Sequence, residues 1–240
     1  MSVRFLPCGD TALVVEFGAR IDRVLSERVL RLNEAVRATR IPGVVETVPT
    51  FRSLMIHYDP LVTDSAAVTA AIGPLLEHVS AAARQTQLWR IPACYTERHG
   101  PDLEEVAQRT ALGTAEVVRL HSGTHYQVYM VGFSPGFPYM GDLPQQLALP
   151  RRTDPRVRVP AGSIAIAAGM TAIYPVESPG GWHLIGATPV RLFDLSWQRP
   201  ALLAAGDEVI FEPIDSAQFD EIQAAVAAGC YRIPCETTSQ

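Results

Sequence analysis

Two spacings of apolar residues divide the chain. Over residues 1–84 the pattern reads strand, strand, helix, twice over. VRFLPCG and TALVVEFG are short apolar runs around Gly9-Asp10 and predict paired strands. IDRVLSERVLRLNEAVRAT then places Ile21, Val24, Leu25, Val29, Leu32 and Val36 at helical spacing. VVETVPT and SLMIHYD predict two more strands. In the second, Leu54, Ile56 and Tyr58 point one way, Met55 and His57 the other. DSAAVTAAIGPLLEHVSAAA predicts a second helix, kinked or broken at Gly73-Pro74.

After the polar join ARQTQ the period changes. LWRIPACY predicts a strand, followed by two short helices. Many short strands come next: YQVYMVGF, RVRVPAG, SIAIAAG, AIYPV, WHLIGAT, VRLFDLS and DEVIFEPI. Turn residues separate them at the spacing of a sandwich or barrel. SAQFDEIQAAVAAG predicts a closing helix, and CYRIPCETTSQ a loose tail. The expectation is an α+β chain: an N-terminal α/β domain of two β-β-α units over 1–84, then a β-barrel domain with a C-terminal helix and tail over 85–240.

Composition narrows the chemistry. A hydrophobic fraction of 48% with 19% charged residues is that of a folded protein. No apolar run is long enough to span a bilayer, and the N-terminus lacks a signal-peptide pattern, so a cytoplasmic location is expected. A net charge of −5 without a basic block argues against nucleic acid. The four cysteines are scattered and have no metal-ligand spacing, so no metal site and no disulfide framework is expected. All 20 basic residues are arginine. A chain without lysine has no Walker A lysine, no Schiff-base lysine and no kinase β3 lysine.

DLEEVAQRTALGTAEVVRLH has the outline of a helix-turn-helix, with Asp102 and Glu105 placed as a capping box. Its second helix offers Thr114, Glu116 and Arg119, a poor set for reading base edges, and a packing hairpin is the better expectation.

Three segments carry candidate chemistry. In GFSPGFPYM, Pro135 and Pro138 stiffen the loop, and Gly132 and Gly136 allow close backbone approach. Phe133, Phe137 and Tyr139 then form either an apolar wall for a planar ligand or partner, or a plug that closes one barrel end. Arg151, Arg152, Arg156 and Arg158 lie within eight residues and suit carboxylate or phosphate, or else simple solvent exposure. On a strand, Arg156 and Arg158 share one face, with Val157 and Val159 opposite. In SPGGW the N–H groups of Gly180 and Gly181 can cradle an oxyanion above Trp182, or the segment is a hairpin turn with a core tryptophan. No Ser-His-Asp order is visible, and Cys94 has no activating base nearby in sequence.

GPDLEEVA, GFSPGFPYMGDLP, PRRTDPRVRVPAGSIAI and YPVESPGGWHLIG, with an N-terminal GDTALVVEFG, together resemble one family. Its members are named variously as the B subunit of 5-oxoprolinase, as allophanate hydrolase subunit 1 and as KipI-type kinase inhibitor. The resemblance implies a cyclophilin-like barrel for the second domain. It also implies a non-autonomous subunit that opens 5-oxoproline to glutamate with ATP as co-substrate and no covalent cofactor. Its partner would be a carboxyltransferase-like second subunit, with the A subunit of 5-oxoprolinase as a third component. Alternatives within the family are inhibition of a sensor histidine kinase and action on another amide such as allophanate. The implied site is His121 as acid or base, with Phe133, Pro135, Gly136, Phe137, Tyr139, Arg151, Arg152, Arg156, Ser163, Gly180, Gly181 and Trp182 around the substrate. The chain departs from the family pattern at Met170-Thr171-Ala172, where Gln-Thr-Gly is usual, and at Ala187, where a basic residue is common.

Overall fold

The computed structural model describes residues 3–77 and 85–239. The chain divides into two compact units, Met1–Arg84 and Gln85–Gln240.

In the first unit, β1 (Arg4–Cys8) and β2 (Ala12–Glu16) form a hairpin, and α1 (Arg23–Thr39) follows. Then come β3 (Val44–Pro49), β4 (Ser53–Tyr58) and α2 (Ser65–Glu77). The sheet order is β1-β2-β4-β3, with every neighbouring pair antiparallel. The Asp22 side chain accepts from the Val24 and Leu25 N–H groups, which starts α1. Leu54 and Ile56 are fully buried, and with Leu13, Val15, Leu32 and Val68 they make the core between sheet and helices. Helix α2 is not broken at Gly73-Pro74; Pro74 lies inside it. Leu75 and Leu76 pack on the sheet core beyond the proline, and that burial offsets the lost backbone bond. The rest of the predicted helix, 78–83, lies outside the described residues.

The second unit opens with β5 (Gln85–Cys94), α3 (Leu103–Thr110), α4 (Thr114–Ser122), β6 (Tyr126–Val131) and β7 (Pro138–Met140). It continues with β8 (Arg156–Val159), β9 (Ser163–Ala167), β10 (Met170–Ile173), β11 (Ser178–Gly180) and β12 (His183–Ala187). The last elements are β13 (Glu208–Ile214), α5 (Ser216–Ala227) and β14 (Cys235–Ser239). Seven strands close a barrel in the order β12-β9-β10-β7-β6-β13-β5, and the Ala187–Cys94 pair joins β12 back to β5. The two short helices α3 and α4 pack on the barrel through Val106, Ala107 and Val117, all buried. β8 and β11 form a separate two-stranded ribbon.

Two expectations are corrected. The tail is not loose, because β14 pairs antiparallel with Gln85–Trp89 of β5. Thr238 bonds Thr86 at 2.8 Å and Glu236 accepts from Arg90 at 3.1 Å. Nothing local in CETTS announces this partner, which lies about 150 residues away. VRLFDLS is not a strand. It makes one isolated bridge, Phe193 to Ala201, because Asp194 turns back onto Arg191 and the Ser196 N–H. Among the described residues, no helix is long and apolar enough to cross a membrane.

Candidate functional site

The Pro-Gly loop between β6 and β7 turns on two short backbone bonds, Gly132 N–H to Phe137 O (3.0 Å) and Phe137 N–H to Ser134 O (3.1 Å). To make that turn, Phe133 sits at φ 71° and Gly136 at φ 77°. For glycine this conformation is free, and for a phenylalanine it is strained. The result is a Phe133 ring held outward, 64% exposed, with its edge on Phe137 at 5.4 Å.

Phe137 is the hub. It is buried and meets Tyr174 at 5.1 Å and Trp182 at 6.3 Å, both at near-perpendicular ring angles. Tyr139 closes the group on Trp182 at 6.0 Å. Edge-to-face packing of this kind holds each ring in one orientation. The SPGGW segment runs over these rings at close range. A Cβ on Gly180 would collide with the Tyr174 hydroxyl, so only glycine fits there. Between the rings and this segment is a cleft of about 110 Å³ lined by Phe133, Phe137, Tyr139, Arg151, Tyr174 and Pro179–Trp182.

The electrostatics of the cleft follow from its arginines. Arg152 donates to Glu105 (2.8 Å) and Asp102 (3.3 Å), Arg156 grips Asp102 with both Nη atoms, and Arg158 pairs with Glu177. Arg151 lines the cleft instead, its guanidinium 6.0 Å from the Trp182 ring centre. Burial raises the Tyr139 phenol and pushes Tyr174 up to about 12. Both phenols are therefore neutral hydrogen-bond donors near pH 7. A cation, two phenols and an aromatic wall converge on a small space. That combination suits a planar, compact anion.

The other expected site residues are placed elsewhere. Pro135 is exposed on the loop outside the cleft, and Gly136 packs its backbone against Phe193. Ser163 is buried at the start of β9, opposite Ala187 on β12. Arg156 and Arg158 face different partners. Val157 is 83% exposed while Val159 is fully buried, so the expected pair of strand faces holds for only part of the ribbon. His121 lies fully buried in the barrel core, outside the cleft lining. Thr171 donates to Ala165 O at 3.1 Å, so its oxygen accepts from His121 Nε2 at 2.9 Å. Nδ1 then accepts from the Tyr95 hydroxyl at 2.8 Å. Burial holds this ring neutral, with its pKa pushed down to about 3.

The departures from the family pattern separate in the same way. Met170 and Ala172 pack within the aromatic cluster behind the cleft. Ala187 sits with Cys94 and Phe219 in a small apolar group. Sequence reading missed Tyr174 as a cleft residue. Its only signal was a tyrosine before proline at the end of a small-residue strand. It also misassigned Asp102, whose carboxylate makes no helix cap. Among the described residues no group of His, Cys, Asp and Glu is placed to hold a metal ion.

Comparisons agree with this architecture. The model of the carboxyltransferase domain, subdomain C and D, matches residues 3–203. The B subunit of the 5-oxoprolinase of Bacillus subtilis (strain 168) is 36% identical over 235 residues, covering 91% of this chain and 97% of that protein. Its counterpart in Escherichia coli O157:H7, also a 5-oxoprolinase B subunit, is 40% identical over 208 residues, covering 85% and 93%. Among solved structures, TTHA0988 superposes with a TM-score of 0.77 at 35% identity, over 85% of this chain; the chain spans 40% of the length of that protein. The K. lactis urea amidolyase shares the fold, with a TM-score of 0.80 at 19% identity over 99% of this chain and 16% of that one. The match over most of the chain places it: the chain belongs to the family of the carboxyltransferase domain, subdomains C and D.

Proposed function

We propose that this chain is a subunit of an ATP-dependent amide hydrolase, and that its cleft binds 5-oxoproline for opening to glutamate. The observation that carries the reading is the combination of a small aromatic cleft with Arg151 turned toward it, while its three neighbouring arginines are held by carboxylates. The lactam ring is flat enough to lie against Phe137 and Trp182, and its carboxylate is the natural partner of Arg151. The phenols of Tyr139 and Tyr174 are donors for the lactam carbonyl.

A lactam resists hydrolysis because its nitrogen donates into the carbonyl. Transfer of the γ-phosphoryl group to the lactam oxygen ends the donation from nitrogen and opens the carbon to water. The ring C–N bond then breaks, the nitrogen taking a proton, and a second water hydrolyses the resulting γ-glutamyl phosphate. Glutamate, ADP and phosphate result. Charge gathers on oxygen as this proceeds, and backbone N–H groups near Gly180 and Gly181 add to the two phenols as donors for it. His121 receives no proton-transfer role in this scheme, because its ring is buried outside the cleft lining with both nitrogens already bonded, to Tyr95 and Thr171. A chain without lysine leaves the ATP phosphates to its partners, here a carboxyltransferase-like subunit and the A subunit of 5-oxoprolinase.

The test is ATP-dependent glutamate release from 5-oxoproline by the chain alone and by the chain reconstituted with those partners. Turnover is expected only in the complex. Arg151→Ala should raise KM for 5-oxoproline about 10- to 100-fold, the size of one lost charge-assisted bond. Turnover by the isolated chain, or an unchanged KM in the variant, refutes the assignment.

A further inference from the structure

Asp102 stands where a helix cap belongs, and its side chain serves a different purpose. It is 3% exposed, and a carboxylate so deeply buried must be paired or it destabilises the fold. Oδ2 accepts from the Leu184 N–H at 2.7 Å and from Arg156 Nη1 at 2.9 Å. Oδ1 accepts from Arg156 Nη2 at 2.5 Å and from Arg152 Nη1 at 3.3 Å. The Asp102 N–H also donates to Leu184 O at 2.9 Å, so both polar backbone groups of Leu184 are held by this one residue.

The segment that these bonds secure is the floor of the cleft. Gly180 pairs with Arg156 across the β8–β11 ribbon. Gly181 O accepts from the Arg152 N–H at 2.8 Å. Leu184 is bound to Asp102 itself. The stretch from Gly180 to Leu184 is thus fastened at three points, and at each one the fastening residue is Asp102 or an arginine gripping it. Four donor atoms converge on two carboxylate oxygens, a number that carboxylate can accept and an amide cannot.

We infer that Asp102 is a positioning residue for the chemistry of the cleft: it sets where the Gly180–Gly181 backbone lies relative to the aromatic wall. This rests on the reading of the cleft given above. Asp102 touches no substrate and acts through Leu184, Arg152 and Arg156.

The experiment has two arms on the Asp102→Asn variant. Amide hydrogen exchange on the isolated chain should show Gly180–Leu184 exchanging at least about tenfold faster, with Ile164–Ala167 of the barrel unchanged. In the reconstituted complex kcat should fall about 100-fold, the penalty of a misplaced donor, while KM for 5-oxoproline stays within about threefold because Arg151 and the rings are untouched. Val106→Ala, a core change on the same helix, is the control for mere destabilisation and should leave kcat at the wild-type value. Unchanged exchange, unchanged kcat, or an equal fall in Val106→Ala overturns the inference. Altered exchange in a chain whose wild-type complex never opens 5-oxoproline keeps the positioning role and removes the substrate assignment. Should Asp102→Asn not fold, Asp102→Glu, which keeps the charge and displaces it by one methylene, is expected to shift both readouts in the same direction.

Discussion

The two units bury different things. In the first, Ser26 is the one buried polar residue among those described. None of its described charged residues is fully buried, and the partly covered Glu16 carboxylate is paired by Arg4 on the hairpin. The barrel unit buries Asp102, His121, Thr171, His183 and Asp207, with hydrogen-bond partners for each. Burying a polar group costs free energy unless it is fully bonded, so apolar packing alone would be the easier way to stabilise a barrel. The first unit follows that easier way. The barrel unit fixes its buried polar groups in set geometry. Asp102 among them holds backbone beside the cleft, while His121 and Asp207 are bonded elsewhere in the unit.

The largest effect should come from breaking the apolar unit. Leu54 is fully buried between sheet and helices, and Leu54→Ala should cost about 3 kcal/mol. All three tryptophans, Trp89, Trp182 and Trp197, belong to the barrel unit. Thermal melting followed by far-UV circular dichroism should therefore move to lower temperature while the tryptophan signal keeps its midpoint. Coincident shifts would show the two units unfolding as one.

A smaller effect, and one confined to the barrel, is pH dependence through His121. Its pKa falls from an ordinary 6.5 to about 3 through burial. Between those values the unfolded chain binds a proton that the folded one refuses, so stability falls as pH drops below about 6.5, by up to about 1.4 kcal/mol per pH unit. Gln at this position can still accept from Tyr95 and donate to Thr171 without titrating. Urea denaturation from pH 7 to pH 5 should show a steeper loss in the wild type than in His121→Gln. Parallel slopes would mean the ring is protonated inside the barrel.

The smallest effect on stability should come with a clear effect on the cleft. Phe133 is strained at φ 71° and mostly exposed, so Phe133→Gly removes strain and little burial. The fold should change by less than about 1 kcal/mol, with relief of strain set against a more flexible unfolded chain. Affinity for 5-oxoproline, followed by calorimetry, should nonetheless weaken several-fold as one wall of the cleft is lost. A large drop in melting temperature would recast Phe133 as a packing residue.

Much of the molecule is written locally. Alternation in SLMIHYD put Leu54, Ile56 and Tyr58 on the buried face because a strand turns its side chains every second residue. The prolines and glycines of GFSPGFPYM act on their own φ angles, so the loop and its aromatic wall could be recognised without the fold. The absence of lysine removed whole classes of chemistry by inspection. Other features depend on residues far apart in the chain. Which of four neighbouring arginines faces the cleft is settled by Asp102 and Glu105, about 50 residues earlier, which hold Arg152 and Arg156, and by Glu177, which holds Arg158; no local pattern encodes those pairings. His121 resembled an acid or base until Tyr95 and Thr171 enclosed it and burial removed its charge. CETTS became a strand because β5 has a free edge there. Local periodicity reports which side of an element is buried. Protonation, ion pairing and strand partnership are properties of what the rest of the chain brings within a few ångströms.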